Sequence, residues 1–145
     1  MAFSAPGRVP RERLPELYHA LDLYVSPSRD EGGPAGALEA MASGVPVVSS
    51  RTGIPADIIE HGRNGMLSEA DDVDGFTSAV VQLMANPARR SAMARAALAT
   101  IQPYDWPVVA ERYATELYGP LTKLRLKRPS QKLLKKGGES ALEDV

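Results

Sequence analysis

Two carboxylates eight positions apart, Glu31 and Glu39, enclose the run GGPAGAL. Gly32, Gly33, Pro34, Ala35 and Gly36 strip this stretch of bulky side chains, which a helix meant only for burial has no need to do. Pro34 suits the first position of a helix and Gly44 the position just past its end, so "PAGALEAMASG" predicts a short helix opening at Pro34. The first turn of a helix leaves backbone N–H groups unpaired, and together with the helix dipole they favour an anion, most often phosphate. Pro34 has no N–H, so the first free donors belong to Ala35, Gly36 and Ala37, whose methyl or hydrogen side chains let a diphosphate approach the backbone. A carboxylate repels a diphosphate, so the glutamates must serve something neutral. An ionised carboxylate only accepts hydrogen bonds, and its two oxygens match a pair of adjacent hydroxyls. Glu39 lies one turn deeper than Ala35, about 6 Å along the axis, within reach of a ribose diol on one side of the phosphates. Glu31, before the turn, would lie on the other side. Hydroxyls, diphosphate, hydroxyls is the outline of a nucleotide-sugar.

The elements that must position these groups follow the rhythm of a parallel α/β fold. "RERLPELYHALDLYVSPS" opens with a helix on Leu14, Leu17, Tyr18 and Leu21, Pro15 being tolerable only in its first turn. A strand at "LYVS" stops at Pro27, the helix at Pro34 follows, and "VPVVSS" is a second strand, making one βαβ unit over residues 22 to 50. In such folds ligands sit at the carboxyl ends of the strands, which directs attention to the loop from Ser26 to Pro34. Next, "TGIPADIIEHGRNGML" reads as turn, short helix, turn and a brief extended piece. "DDVDGFTSAVVQLM" is an amphipathic helix on Val73, Phe76, Val80 and Leu83, with Val80, Leu83 and Met84 expected in the core. Asn86 and Pro87 cap and open a further helix, and the last begins after Asp105 with Val109, Tyr113 and Leu117 along one face. No internal repeat is present.

With 145 residues the chain can bury a real core. Its 24% charged and 43% hydrophobic residues are those of a globular protein, and no apolar run approaches the roughly 18 residues that span a bilayer. Without cysteine there is no disulfide framework, and the stretch "MAFSAPGRVP", which lacks a basic segment followed by an apolar one, is not expected to act as a secretory signal. A cytoplasmic location is the expectation. His19 and His61 have no metal-ligand context, and the D-x-D at 71–74 is explained by helix capping, so no metal is expected. Residues 1–118 carry 10 Lys/Arg against 15 Asp/Glu, residues 119–138 carry 7 Lys/Arg and no acid, and residues 139–145 add 3 acids. The chain therefore divides into a body, 1–118, and a basic-then-acidic tail, 119–145, expected to be flexible. A weak contact of 121–136 with an anionic membrane surface is the alternative for the tail, whereas binding of nucleic acid is not expected.

Taken singly, each acid could be a solvated dipole partner and each glycine a turn residue. The longer string "YVSPSRDEGGPAGALEAMASGVPVVSSRTGIPADIIEHGRNGML" resembles the donor-binding segment of the retaining GT-B glycosyltransferases of family 4, glycosyl transferases group 1, with their E-x7-E motif at Glu31 and Glu39. The resemblance covers residues 3 to 118. It implies a Rossmann-like parallel sheet with flanking helices, part of the C-terminal lobe of a GT-B fold. It also implies transfer of a sugar from a nucleoside diphosphate donor, a co-substrate rather than a cofactor, to an acceptor hydroxyl with retention of configuration. The acceptor would be a carbohydrate or lipid-linked molecule bound through an N-terminal lobe. Glu31, the candidate catalytic residue, would contact the donor sugar, Glu39 the nucleotide ribose, and the backbone of Ala35 and Gly36 the diphosphate, with Gly32, Gly33 and Pro34 forming the donor-binding turn. Gly33 and Pro34 depart from the family's bulky residue and glycine, implying a differently shaped sugar pocket, and its "TGG" turn is "TGI" at Thr52. The family pattern F-x-G-x-v-p falls at Phe3 to Pro10, so the acceptor lobe and the basic pair that grips the diphosphate should precede it. The chain is thus read as a fragment that would not turn over alone, unless Arg8 or Arg29 replaces that pair. Rival expectations are a GT-B epimerase or phosphorylase, and a non-catalytic nucleotide-sugar-binding module.

Overall fold

The computed structural model describes residues 5, 7–30 and 35–123. The chain forms two compact units, Met1–Asp105 and Trp106–Val145. Among the described residues of the first, three short strands, β1 (Tyr24–Ser26), β2 (Val47–Ser50) and β3 (Met66–Ser68), pair in parallel in that order. Tyr24 is in register with Val47, and Val48 with Met66. The 3-10 turn Arg11–Arg13 and helix α1 (Leu14–His19) precede β1, and Pro15 sits in the first turn, where it removes no helical hydrogen bond. Helix α2 (Ala35–Ala42) connects β1 to β2, and α3 (Gly53–Ile58) connects β2 to β3. Two longer helices follow, α4 (Val73–Ala85) and α5 (Pro87–Ile101).

The central strand is buried along its whole length, Val47 and Val48 as well as Ser49 and Ser50, as expected of a parallel strand covered on both faces. Side chains alternate across a strand, so Val47 and Leu67 enter one cluster with Ala37, Ala40, Met41 and Ile58, while Val48 and Met66 enter another with Phe76, Leu83 and Met93. Helix α2 can lie against the sheet because its inward residues Ala37 and Ala40 are small, and both are fully buried. It ends at Gly44, whose φ of 69° lets the Val45 and Gly44 N–H groups donate back to Ala40 and Met41 O at 2.9 and 3.1 Å, a Schellman cap that turns the chain into β2.

The expected caps of α4 and α5 are present: the Asp72 carboxylate accepts from Gly75 N at 2.8 Å and the Asn86 side chain from Arg89 N at 2.9 Å. The α4 stripe is narrower than its pattern predicts. Phe76, Ala79 and Leu83 are buried and Val80 is half-buried, but Val73 and Met84 are exposed. Side chains tilt toward a helix's N-terminus, which directs Val73 past the first turn, and Met84 falls at the edge of the stripe.

Asn64 ties the turn before β3 to α5. It is fully buried; its Oδ1 accepts from Glu60 N at 2.7 Å, and its Nδ2 donates to Ile58 O at 3.0 Å and Thr100 Oγ1 at 2.9 Å. The described residues of the second unit form a continuous helical run: α6 (Trp106–Arg112), a π-helical segment (Tyr113–Tyr118) and α7 (Gly119–Lys123). On it Val109 is half-buried, whereas Tyr113 and Leu117 are exposed. The remainder of the basic-then-acidic tail, 124–145, lies outside the described residues.

Replacing Asn64 by leucine leaves buried backbone groups without partners and should lower unfolding free energy by about 2–4 kcal/mol, read from urea denaturation midpoints. A change within about 0.5 kcal/mol would show that the turn satisfies itself otherwise.

Candidate functional site

The three strands end side by side on Ser26, Ser50 and Ser68, all buried. Ser50 Oγ donates to the Ser28 carbonyl at 2.5 Å and lies 3.1 Å from Thr52 Oγ1. One hydroxyl thus joins the loop leaving β1 to the turn leaving β2. Beside it, Arg29 Nε meets Asp71 Oδ1 at 2.8 Å, and Arg51 Nε meets Glu69 Oε1 at 3.1 Å. Arg29, one of the two candidates for gripping a diphosphate, is therefore an exposed partner of Asp71. With Asp72 capping α4, both Asp71 and Asp72 have structural occupations, and among the described residues no three His, Asp or Glu side chains gather as a metal site would need. His61, given no role from sequence, accepts from Leu67 N through Nδ1 at 3.0 Å and so secures the start of β3.

Of the predicted donor-binding residues, Glu31, Gly32, Gly33 and Pro34 lie outside the described residues. Ala35, Gly36 and Glu39 stand on α2, which follows β1 at the carboxyl edge of the sheet. Gly36 has a second reason to be glycine. A Cβ there would collide with the Tyr24 hydroxyl and would stand 3.4 Å from the Tyr18 hydroxyl. The missing side chain therefore makes room for a tyrosine on β1 as well as baring the backbone.

Glu39 is half-buried and engaged: Tyr18 on α1 donates its phenolic proton to Glu39 Oε2 at 2.8 Å. Tyr18 is 8% exposed, and its ring meets that of Tyr24 at a centroid distance of 6.0 Å and an angle of 56°. Burial, and then the hydrogen bond to the Glu39 carboxylate, push the Tyr18 phenol far above its ordinary value, so it stays a donor through the whole neutral range. Glu39, Tyr18, Arg11, Leu14, His19 and Ser43 line a groove of about 380 Å³ between α1 and α2. Tyr18 was legible only as a core position, because its partner is 21 residues away.

Three parallel strands with a short helix at their carboxyl edge, its first turn poor in side chains and its carboxylate braced by a phenol, make up a parallel α/β module. Comparison with known proteins makes this specific. The profile of the glycosyl transferases group 1 family matches residues 3–100, and the chain belongs to that family. A D-inositol 3-phosphate glycosyltransferase of Corynebacterium urealyticum is 32% identical over 123 residues, 85% of this chain and 29% of the relative. A GDP-mannose-dependent alpha-(1-6)-phosphatidylinositol monomannoside mannosyltransferase of Mycolicibacterium smegmatis is 33% identical over 119 residues, 77% of this chain and 31% of the relative. The chain thus spans less than a third of the length of these curated relatives. Among solved structures, sucrose-phosphate synthase from Thermosynechococcus elongatus superposes with a TM-score of 0.74 at 27% identity over 81% of this chain and 29% of that one. Anabaena HepE in complex with UDP gives 0.70 at 26% identity over 75% and 30%. The C-terminal domain of a group 1 family glycosyl transferase, LpcC from Francisella tularensis, gives 0.60 at 29% identity over 70% and 50%. The sheet with its flanking helices is part of the C-terminal lobe of a GT-B fold.

Two outcomes test the geometry. Gly36→Ala should destabilise the chain by about 1–2 kcal/mol despite alanine's better helix propensity, and Tyr24→Phe should restore part of the loss; a neutral Gly36→Ala would mean Tyr24 imposes no constraint. The raised Tyr18 phenol contributes stability that is complete below the ordinary value of 10.0 and is lost as pH rises beyond it. Ultraviolet titration should show one tyrosine ionising only with alkaline unfolding, a phase absent from Tyr18→Phe.

Proposed function

We propose that this chain supplies the donor-binding part of a retaining glycosyltransferase of family 4, transferring a sugar from a nucleoside diphosphate sugar to an acceptor hydroxyl. The observation that carries the reading is the first turn of α2, side-chain-poor at Ala35 and Gly36, with the carboxylate of Glu39 one turn deeper and held by a buried phenol. Its relatives support it: all the curated ones named above are glycosyltransferases, and HepE is known in complex with UDP-glucose.

In this reading Ala35 and Gly36 offer backbone N–H groups to the donor diphosphate, Glu39 accepts from the ribose hydroxyls, and Glu31 contacts the sugar. Gly32, Gly33 and Pro34 shape the turn between them. The bond from the anomeric carbon to the phosphate oxygen breaks as the acceptor oxygen bonds to that carbon from the same face. The acceptor's proton passes to the departing phosphate oxygen. Fixed N–H dipoles stabilise the charge that develops on the diphosphate, commonly the largest catalytic contribution. No metal is needed at the sugar. The acceptor, a carbohydrate or a lipid-linked molecule, would be held by a lobe corresponding to the part of the relatives outside this chain's span, so the chain alone would bind donor without transfer. The enzyme would work in the cytoplasm with residues 119–145 as a flexible tail, the alternative being a weak hold of 121–136 on an anionic membrane surface. Among the described residues no helix is long and apolar enough to cross a membrane.

Calorimetric titration with UDP and with GDP checks the reading. At least one should bind, and Glu39→Ala should weaken it by about tenfold or more, the loss expected for hydrogen bonds to a charged group. Equal affinity before and after the change would reject the site. In a transfer assay with the full-length polypeptide, a product of inverted anomeric configuration would reject retention.

A further inference from the structure

We propose that Tyr18 is the positioning residue of the hydroxyl-binding carboxylate: from α1 it fixes Glu39 on α2, and the chain's preference for a ribonucleotide over its 2′-deoxy counterpart depends on that hold. The inference rests on the reading of Glu39 as the ribose-binding acid and adds the device that orients it.

A glutamate side chain on a helix surface has three rotatable torsions, and freezing them on binding costs entropy that weakens its grip. Here the carboxylate is already tethered, by a 2.8 Å bond to a hydroxyl on a different helix. The tether is stiff at its other end. Tyr18 is buried in the cluster formed by Ala37, Ala40, Met41 and Val47, and its ring packs against Tyr24. Tyr24 in turn projects its hydroxyl into the space that any side chain at position 36 would need. Gly36, Tyr24, Tyr18 and Glu39 therefore form one continuous support under the first two turns of α2. Because its phenol is held protonated, Tyr18 keeps donating whatever the state of the ligand. A carboxylate has about four acceptor sites, and Tyr18 occupies one, leaving enough for both hydroxyls of a diol.

A tyrosine that serves only to fill the core would affect every ligand alike. A positioning tyrosine acts only on what Glu39 touches, and this difference decides the test. UDP, GDP and their 2′-deoxy forms are titrated calorimetrically into the full chain and into Tyr18→Phe, Glu39→Gln and the double variant, with circular dichroism reporting the fold. Tyr18→Phe should weaken the ribonucleotide by about tenfold and the 2′-deoxy form, which keeps only one of the two hydroxyls, by no more than about threefold, so that discrimination between them shrinks. In the Glu39→Gln background the same change should cost less than about threefold, the non-additivity expected of two groups acting as a unit.

Equal losses for both nucleotides, or an unchanged discrimination, would overturn the proposal while leaving the donor site standing. By contrast, Glu39→Ala without effect on any nucleotide would remove the donor-site reading itself. If Tyr18→Phe does not fold, Tyr18→Met, which fills the space with a flexible apolar chain, carries the same expectation. Failure of both to fold would overturn the proposal in favour of a core role.

Discussion

Eight residues, Ala35–Ala42, must do two things at once, and the rest of the first unit is arranged around that constraint. One face of this helix is core, with Ala37, Ala40 and Met41 fully buried against the sheet, and the adjacent face carries Gly36 and Glu39. Small residues on the inward face bring the helix axis close to β1 and β2. Close approach in turn brings its outward carboxylate within reach of a tyrosine on the neighbouring helix. Had the inward residues been leucines, the helix would stand farther off, and the bond between Tyr18 and Glu39 could not form at its present length.

Polar groups in the interior follow the same economy. Asn64, Ser50 and Tyr18 are buried or nearly so, and each spans two elements: a turn and α5, two strand-end loops, two helices. Among the described residues no buried side-chain nitrogen or oxygen lacks a partner. Burial makes an unmatched polar atom costly, so each such group narrows the arrangements open to the elements it joins. Exposed ion pairs such as Arg29 with Asp71 contribute much less, since water screens both partners.

Family membership and the site support one another without being the same statement. The match to glycosyl transferases group 1 runs over residues 3–100 and contains every residue of the candidate site. A fold alone does not specify chemistry, which resides in the groups placed on it. Here those groups are the side-chain-poor first turn of α2 and a carboxylate braced by Tyr18, which the proposed function assigns to phosphates and vicinal hydroxyls.

Much of this was legible in the sequence, because it is local. A helix cap depends on residues three or four apart, so Asp72, Asn86 and Gly44 could be read directly, and the central strand shows itself in the valines of "VPVV". The two glutamates and the glycine-rich turn between them stood out because their types are unsuited to simple burial. Tertiary structure alone decided which side chains meet: Tyr18 on Glu39, Asn64 on Thr100, His61 on the backbone of Leu67, and the Tyr24 hydroxyl in the space that a side chain at position 36 would need. Periodicity also overstated the apolar stripe of α4, because Val73 and Met84 match its spacing and yet stand exposed. Spacing records which residues share a helix face, whereas contact depends on where a second element ends, and that is known only once both are packed.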